Sequence, residues 1–202
     1  MEYAHANPAD RTIIVADAQT AGRGRYRRTW SSPPGNLYAS FIYHVGDARD
    51  PKISYGVAVA VAETLAHFGL HPAIKWPNDI LIDGAKISGI LIEYSRDFVI
   101  IGIGINIESS PSDLPYATTK TANYKCVSRD ELLHVLADKM DLWTRRDFAS
   151  VRERWMQLAA GIGTEIMYRG TPATLCELNM DGALVLRRGG EYLRIIDDEI
   201  LI

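Results

Sequence analysis

Two apolar segments that follow one another closely constrain the fold of this chain more than any other feature. They are residues 86–94 and 98–107, and only Ser95, Arg96 and Asp97 separate them. Apolar runs of this length, bounded by polar residues, are typical of strands, and so short a connection suits antiparallel neighbours. We therefore expect a sheet with these two segments at its centre.

Further strands are predicted before this pair. A β-branched run at residues 12–16 is expected to be a buried strand, and residues 37–45 to return beside it as a hairpin-like unit. Residues 73–76 and 79–82 are expected to be short strands, the second followed by the tight turn Asp83-Gly84.

Three helices are predicted from apolar residues at helical spacing. The first runs from a cap at Ser54 to about Phe68, where Gly69 ends it. The second follows a capping box of Ser128 and Glu131 and reaches about residue 146. The third starts near Asp147 and is broken at residues 161–163.

The pattern changes to short strands from Thr164 onwards. Turn residues at Asp181-Gly182 and Gly189-Gly190 divide these strands, which predicts a small β-barrel-like domain. We expect an α+β fold with two domains, a larger one at residues 1–161 and a small C-terminal one at residues 162–202.

The segment from Gln19 to Trp30 concentrates positive charge. Four arginines, Arg23, Arg25, Arg27 and Arg28, lie within six positions without an acidic neighbour. Its glycines, Gly22 and Gly24, are expected to allow positive φ and a close approach to a ligand, while arginine matches phosphate or carboxylate. The segment predicts a mobile basic loop that binds an anion, with a solvated basic turn as the alternative.

Composition limits the classes of partner. The formal net charge is −3, so the arginine cluster is a local exception, which disfavours non-specific binding of nucleic acid. The two cysteines, Cys126 and Cys176, have no metal-ligand spacing and are interpreted as reduced thiols. No stretch is apolar enough for a signal peptide or a membrane span, so we expect no membrane association and a cytoplasmic location.

A pair of glycines interrupts the second apolar segment. Gly102 and Gly104 remove side chains from a strand, either at a bulge or where a backbone or a flat ligand ring approaches closely. Residues 108–121, which are rich in Ser, Pro and Thr, are interpreted as a surface loop.

Four short patterns occur in a particular order along the chain. They are Gly-Arg-Gly-Arg at residues 22–25 with a later Arg and Trp, Lys-Trp-Pro-Asn-Asp at 75–79, Lys-x-x-Gly-Ile-Leu-x-Glu at 86–93, and Gly-x-Gly-x-Asn at 102–106. Over nearly the whole chain, the sequence resembles biotin protein ligases. This resemblance implies a class II synthetase-like catalytic domain, in which helices flank a mixed or antiparallel central sheet, and an SH3-like C-terminal barrel that helps to receive the acceptor protein.

The resemblance also implies an activity. Biotin and ATP, with Mg²⁺, would give biotinyl-5′-AMP and pyrophosphate, and biotin would then pass to a lysine of a carboxylase biotin carrier domain. A homodimer is compatible with this family. No helix-turn-helix precedes the catalytic region, so repressor activity and nucleic-acid binding are not expected.

Site residues follow from the family positions. The expected catalytic residues are Lys86 and Arg25, with Lys86 between the biotin carboxylate and the α-phosphate. The expected biotin-binding residues are Gln19, Arg23, Gly24, Arg25, Lys86 and Gly89. The expected ATP-binding residues are Arg25, Arg28, Trp30, Asn78, Lys86 and Asn106, with Trp30 against the adenine. Asp79 is the expected ligand of Mg²⁺.

One departure from the family and three rival functions remain open. Relatives usually carry a Ser-Thr pair about twenty residues before the arginine motif, and Met1-Glu2-Tyr3-Ala4 resembles the segment just after it, so we expect a truncated N-terminus and weakened biotin binding. The rivals are lipoate ligase or another acyl-adenylating ligase, a single-stranded nucleic-acid binding module, and a catalytically impaired interaction protein.

Overall fold

The computed structural model describes residues 1–196 and Ile200. The chain divides into two compact units. The first unit comprises Met1–Asp50 and Ile82–Val135, and the second comprises Pro51–Leu81 and Leu136–Ile202. The sequence predicted a different division, with a separate domain from residue 162 onwards. That domain boundary stays a prediction.

Helices and strands follow one another in runs along the described chain. Its helices are α1 (Glu2–Ala6), α2 (Ile53–His67), α3 (Arg129–Trp143) and α4 (Phe148–Leu158). Its strands are β1 (Thr12–Ala16), β2 (Leu37–His44), β3 (Pro72–Lys75), β4 (Asp79–Ile82), β5 (Ala85–Ser95), β6 (Phe98–Ile105), β7 (Glu165–Tyr168), β8 (Thr171–Leu178), β9 (Leu184–Arg188) and β10 (Glu191–Ile195). Helices combined with antiparallel sheets confirm the predicted α+β class.

The first unit contains an antiparallel sheet with strands in the order β1-β2-β6-β5. In the β5–β6 pair, Ser88 lies opposite Ile105 and Ser95 lies opposite Phe98, so the predicted pairing of the two apolar segments is confirmed. Side chains of β2 such as Leu37 and Ile42 are fully buried, and both edges of this strand are paired with neighbouring strands.

Strand β1 lies at the edge of this sheet, and the prediction that it is a buried strand is wrong. Its side chains alternate between partly buried and exposed, with Ile13 39% and Val15 38% exposed. Because β1 has β2 as its single neighbour in the described sheet, β-branched residues here reflect strand propensity rather than burial.

Helix α2 belongs to the second unit and is buried along most of its length. Its side chains from Val57 to Ala62 are 0% exposed, and most of them are small. A Cβ on Gly56 would lie 2.7 Å from the carbonyl oxygen of Trp143, so glycine at this position allows a close approach of the backbone. Gly69, with φ of +81°, follows the end of the helix as predicted.

The N-terminus of α2 differs from the prediction. Ser54 does not cap the helix, because the N-cap is Lys52 and the Ser54 hydroxyl donates a hydrogen bond to the carbonyl of Pro51 at 2.8 Å. The predicted starts of the later helices are closer to the structure. The Asp147 carboxylate accepts the Ser150 N–H at 2.9 Å before α4, and Ser128 Oγ accepts the Glu131 N–H at 3.5 Å before α3.

Glu63 on α2 joins three helical segments of the second unit. Its carboxylate accepts hydrogen bonds from Lys139 Nζ at 3.0 Å, Trp143 Nε1 at 3.0 Å and Arg154 Nε at 2.9 Å. Burial alone would raise the pKa of Glu63, but these hydrogen bonds and the charge of Lys139 hold the pKa below its ordinary value. Glu63 is therefore ionised and paired in the folded protein at neutral pH.

Strands β7 to β10 form a second antiparallel sheet, in the order β10-β9-β8-β7. Glycines with positive φ, Gly182 and the Gly189-Gly190 pair, lie in its turns as predicted. Within the second unit, the Tyr55 hydroxyl donates to the carbonyl of Gly182 at 2.8 Å and accepts the indole N–H of Trp76 at 3.2 Å. The sheet is consistent with the small barrel-like domain predicted at the C-terminus.

Both cysteines are thiols. Cys126 is exposed and Cys176 is partly exposed, and neither forms a disulfide, as predicted. None of the helices in the described part of the chain is both long and apolar enough to cross a membrane.

Candidate active site

The arginine-rich segment folds as a small hairpin, which we call the basic hairpin (residues 19–32). Its two arms are joined by backbone hydrogen bonds from the Trp30 N–H to the Gly22 carbonyl at 2.9 Å and from the Gly24 N–H to the Arg28 carbonyl at 2.7 Å. At its base, the Ser32 hydroxyl donates to Gln19 Oε1 at 2.7 Å. The predicted loop is therefore a hydrogen-bonded element with a closed base.

The tip of the basic hairpin turns in a way that the sequence did not predict. Gly22 and Gly24 were expected to allow positive φ, but the residues that adopt the left-handed region are Tyr26, with φ of 53°, and Arg27, with φ of 59°. Gly22 has another role, since a Cβ there would lie 2.3 Å from the carbonyl oxygen of Trp30. Non-glycine residues in this region are strained and cluster at functional sites.

Tyr26 gathers two of the arginines at the tip. Its ring centroid lies 4.9 Å from Cζ of Arg25 and 5.8 Å from Cζ of Arg28, and its hydroxyl accepts a hydrogen bond from Arg25 Nη2 at 3.1 Å. Cation–π contacts of this kind favour a guanidinium over a ring face. The ring therefore orients two of the cations that the sequence assigns to substrate binding.

The side chain of Arg23 is directed to strand β5. Its Nη2 lies 2.9 Å from Oε2 of Glu93, and the same oxygen lies 2.7 Å from Nε2 of His5 on α1. Glu93, the last residue of the Lys-x-x-Gly-Ile-Leu-x-Glu pattern, thereby tethers the basic hairpin to the sheet. A contact between Arg23 and biotin stays a prediction.

Gly89 and Gly104 form a flat surface on the sheet, and an indole covers it. The two glycines lie directly opposite each other on β5 and β6. A Cβ on Gly104 would lie 2.6 Å from the Trp30 ring, and a Cβ on Gly89 would lie 2.8 Å from it. Gly102 is covered by Met1, whose Sδ would lie 2.9 Å from a Cβ there. Of Gly102 and Gly104, where the sequence suggested a flat ligand ring, Gly104 thus faces the ring of Trp30, and binding of a ligand there stays a prediction.

Lys86 lies beside this surface. Its Nζ is 5.4 Å from the ring centroid of Trp30 and 5.5 Å from that of Tyr116, and its Cε would lie 3.5 Å from a Cβ on Gly89. Sequence reasoning missed Tyr116, because this residue lies in the segment interpreted as a surface loop and belongs to no recognised pattern. The structure therefore brings Lys86, Gly89 and Trp30 together and adds Tyr116.

Two buried asparagines fix the loop that carries Tyr116. Asn36 Oδ1 accepts the backbone N–H groups of Ile107, Glu108 and Ser109 at 2.8, 3.0 and 3.1 Å. Asn106, which is 2% exposed, donates its side-chain amide to the carbonyl of Thr119 at 3.0 Å. Asn106 thus holds the returning end of the loop, and its predicted contact with ATP stays a prediction.

Residues 2–106, just over half of the chain, match the Biotin/lipoate A/B protein ligase family. The chain belongs to this family.

Individual members of the Biotin/lipoate A/B protein ligase family resemble the chain over most of its length. The bifunctional ligase/repressor BirA of Bacillus subtilis is 35% identical over 98% of this chain and 68% of its own length. A biotin–[acetyl-CoA-carboxylase] ligase of Paracoccus denitrificans is 32% identical over 86% of this chain and 83% of its own. A structure of the Aquifex aeolicus biotin protein ligase in complex with biotin and ATP has a TM-score of 0.90 at 26% identity, over 98% of this chain and 92% of that one. The predicted resemblance to biotin protein ligases is confirmed.

Two further residues predicted from the ligase family lie in the second unit. Asn78 and Asp79 are half-buried and follow Trp76, which is 2% exposed and is joined to Pro77 by a cis peptide bond. The Trp76 indole donates to the hydroxyl of Tyr55, which fixes the residue that precedes this segment. The roles of Asn78 in ATP binding and of Asp79 as a metal ligand stay predictions.

Proposed function

We propose that this protein activates biotin with ATP to biotinyl-5′-AMP and transfers the biotinyl group to a lysine of a carboxylase biotin carrier domain. One observation carries the proposal: Lys86 lies beside the paired glycines Gly89 and Gly104, and the Trp30 indole of the basic hairpin lies over them. The likeness to a ligase whose structure contains biotin and ATP supports it.

The reaction requires that two anions meet. A carboxylate oxygen of biotin attacks the α-phosphorus, the bond from that phosphorus to the bridging oxygen breaks, and pyrophosphate leaves. Cations fixed in advance lower the barrier, because they offset the repulsion without reorganising during the reaction. Lys86 and Arg25 supply this charge, and Arg28 binds phosphate. The remaining biotin-binding residues are Gln19, Arg23, Gly24 and Gly89. The remaining ATP-binding residues are Trp30, Asn78 and Asn106.

The second step releases the nucleotide. The amine of the acceptor lysine attacks the acyl carbon of the mixed anhydride, the bond from that carbon to the phosphate oxygen breaks, and AMP leaves as the amide forms. Water would hydrolyse the anhydride, so the basic hairpin and the Trp30 indole must exclude solvent from it. The indole N–H of Trp30 is buried without a hydrogen-bond partner among the described residues, and an acceptor atom of a bound ligand would satisfy it.

Mg²⁺ is proposed to enter with the nucleotide. Among residues 1–196 and Ile200, no group of three or more His, Cys, Asp and Glu side chains could hold a metal ion. This fits Mg²⁺, which is usually bound by substrate phosphates and one or two carboxylates. Asp79 would provide such a carboxylate, and the ion would neutralise charge on the departing pyrophosphate.

The surroundings of the protein are also proposals. We infer that it works in the cytoplasm on a biotin carrier domain, without binding nucleic acid, and that it forms a homodimer. Analytical ultracentrifugation with and without biotin and ATP tests the dimer.

Biotinylation of a carrier domain tests the proposed function. The protein is incubated with MgATP, a carrier domain and either biotin or lipoic acid, and the carrier domain is probed with avidin or with an antibody against lipoyl-lysine. We expect biotin on the carrier domain. Lipoyl transfer alone would favour another acyl-adenylating ligase, and no transfer of either acid would favour an impaired interaction protein.

A further inference from the structure

Tyr116 is an aromatic residue beside Lys86 that belongs to none of the four sequence patterns. It is 44% exposed, and its ring centroid lies 5.5 Å from Lys86 Nζ. The ring of Trp30 lies 5.4 Å from the same atom. Both distances are within the range of about 6 Å at which a ring face attracts an ammonium group. One lysine thus contacts two aromatic rings that come from different segments of the first unit.

The backbone fixes Tyr116 relative to Lys86. The Lys86 N–H donates to the carbonyl of Ala117 at 2.9 Å, and the Thr119 N–H donates to the carbonyl of Lys86 at 2.9 Å. Tyr116 immediately precedes this bridge, so its Cα cannot move far from that of Lys86 while the bridge holds. Asn36 and Asn106 bind the two ends of the same loop.

We propose that Tyr116 is a positioning residue that, with Trp30, holds the Lys86 ammonium over Gly89, where it binds the carboxylate of biotin and the α-phosphate of ATP. The inference rests on the proposed function. A lysine side chain is a flexible four-carbon stem, and a charge contributes most to catalysis when its position is set before the reaction. Two ring faces restrict the positions that the ammonium at the end of this stem can occupy.

A pair of substitutions separates the ring of Tyr116 from its hydroxyl. Tyr116→Phe keeps the ring face, and Tyr116→Leu removes it. We expect Tyr116→Leu to lower kcat for pyrophosphate release about two- to fivefold, with a smaller effect on KM for biotin, and Tyr116→Phe to restore kcat. Tyr3→Leu, which changes a tyrosine that is 67% exposed on α1, is the matched control and should keep the wild-type kcat.

The resonance of the lysine reports whether the Tyr116 ring lies against the Lys86 side chain in solution. In protein labelled with ¹³C at lysine Cε, the Lys86 signal is assigned with Lys86→Arg. Ring currents from the two aromatic rings shift its ε-protons upfield. Tyr116→Leu should move these protons downfield, while Tyr116→Phe and Tyr3→Leu should leave them in place.

The result is decided by comparison with Lys86→Ala. If Lys86→Ala abolishes adenylate formation while Tyr116→Leu keeps the wild-type kcat or leaves the lysine resonance unchanged, the positioning role is wrong and the proposed function stands. An equal loss of kcat in Tyr116→Phe and Tyr116→Leu would also overturn the positioning role, because the effect would then come from the hydroxyl and not from the ring. If Lys86→Ala retains adenylate formation, the proposed mechanism is wrong, and the positioning role of Tyr116 is wrong with it.

Discussion

Gly89 and Gly104 lie directly opposite each other on neighbouring strands, and the Trp30 indole lies within contact distance of both. Side chains at opposed positions of an antiparallel pair normally meet on one face of the sheet. Here the absence of both side chains leaves room for one aromatic ring against the backbone. The glycines therefore determine the position of Trp30, and through Trp30 the surroundings of Lys86.

Gly104→Ala should displace this indole. A methyl group would lie 2.6 Å from the ring, so the ring must move, and overpacking of this kind costs about 1–3 kcal/mol. We expect a lower midpoint of urea unfolding and a higher KM for biotin. Gly24→Ala is the matched control for stability, since its Cβ has no neighbour nearer than 3.6 Å. Equal midpoints for the two variants would contradict the packing described.

Lys86→Ala should reduce adenylate formation by about 10²- to 10³-fold, the loss typical of removing one preorganised charge. Pyrophosphate release in single-turnover experiments measures this step separately from transfer. Lys120→Ala, at a lysine that contacts the backbone carbonyl of Glu108 in the loop, controls for the loss of positive charge. Wild-type rates in Lys86→Ala would refute the mechanism.

Glu63→Gln should destabilise the protein by about 1–3 kcal/mol at pH 7, because a partly buried acceptor of three hydrogen bonds loses its charge. The pKa of Glu63 is lowered on folding, so its ionisation stabilises the fold fully above the unfolded pKa of about 4.3, and this stabilisation is lost as the pH falls through the folded pKa. The difference in unfolding free energy between wild type and variant should therefore shrink below about pH 4.

Asp141→Asn serves as the control for Glu63→Gln. Asp141 pairs with Arg145 at 2.5 Å on the surface of α3, and both side chains are about half exposed. We expect less than about 0.5 kcal/mol for this exposed pair. A loss as large as that of Glu63→Gln would mean that burial does not distinguish the two carboxylates.

Tyr55→Phe should destabilise the second unit by about 1–3 kcal/mol, because the Trp76 indole N–H and the Gly182 carbonyl each lose a buried partner. Urea unfolding followed by tryptophan fluorescence reports this change. Tyr192→Phe, at a residue that is 69% exposed, should alter stability by less than about 0.5 kcal/mol. Similar unfolding curves for both variants would show that the Tyr55 hydroxyl is dispensable.

Biotin and MgATP should protect the basic hairpin from trypsin. The hairpin is bound to the sheet by an ion pair between Arg23 and Glu93 that is 44% and 25% exposed, which is weak on its own. We expect slower cleavage within residues 22–29 when both substrates are present, and faster cleavage without substrates in Glu93→Gln. Cleavage at the same rate with and without biotin and MgATP would contradict ordering of the hairpin by its ligands.

Strand pairing and helix ends were predictable where a sequence pattern is compatible with a single structure. The β5–β6 pair follows from two apolar segments and a short turn, and Gly69 ends α2 because its φ is positive. The same reasoning failed for β1, since β-branched residues also suit a half-exposed edge. It failed for Ser54, whose hydroxyl found a carbonyl of the preceding turn rather than an N–H of the helix.

Part of the candidate site could not be predicted, because it depends on backbone contacts that no sequence pattern indicates. Lys86, Gly89 and Trp30 belong to recognisable patterns, but Tyr116 reaches Lys86 only because the backbone at Ala117 and Thr119 bonds to that lysine. Nothing in the composition of a loop rich in Ser, Pro and Thr indicates such a contact. Likewise, the positive φ values of Tyr26 and Arg27 are imposed by closure of the hairpin, while the glycines beside them stay in ordinary conformations.

Asn36 and Asn106 secure the start and the finish of the segment that carries Tyr116, whereas Ser112 and Leu114 between them are exposed. Exposed loop tips tolerate added residues. A short tag or a fluorophore placed at Ser112 would therefore report on events around Lys86 from a few residues away, without replacing any group that holds the loop in place.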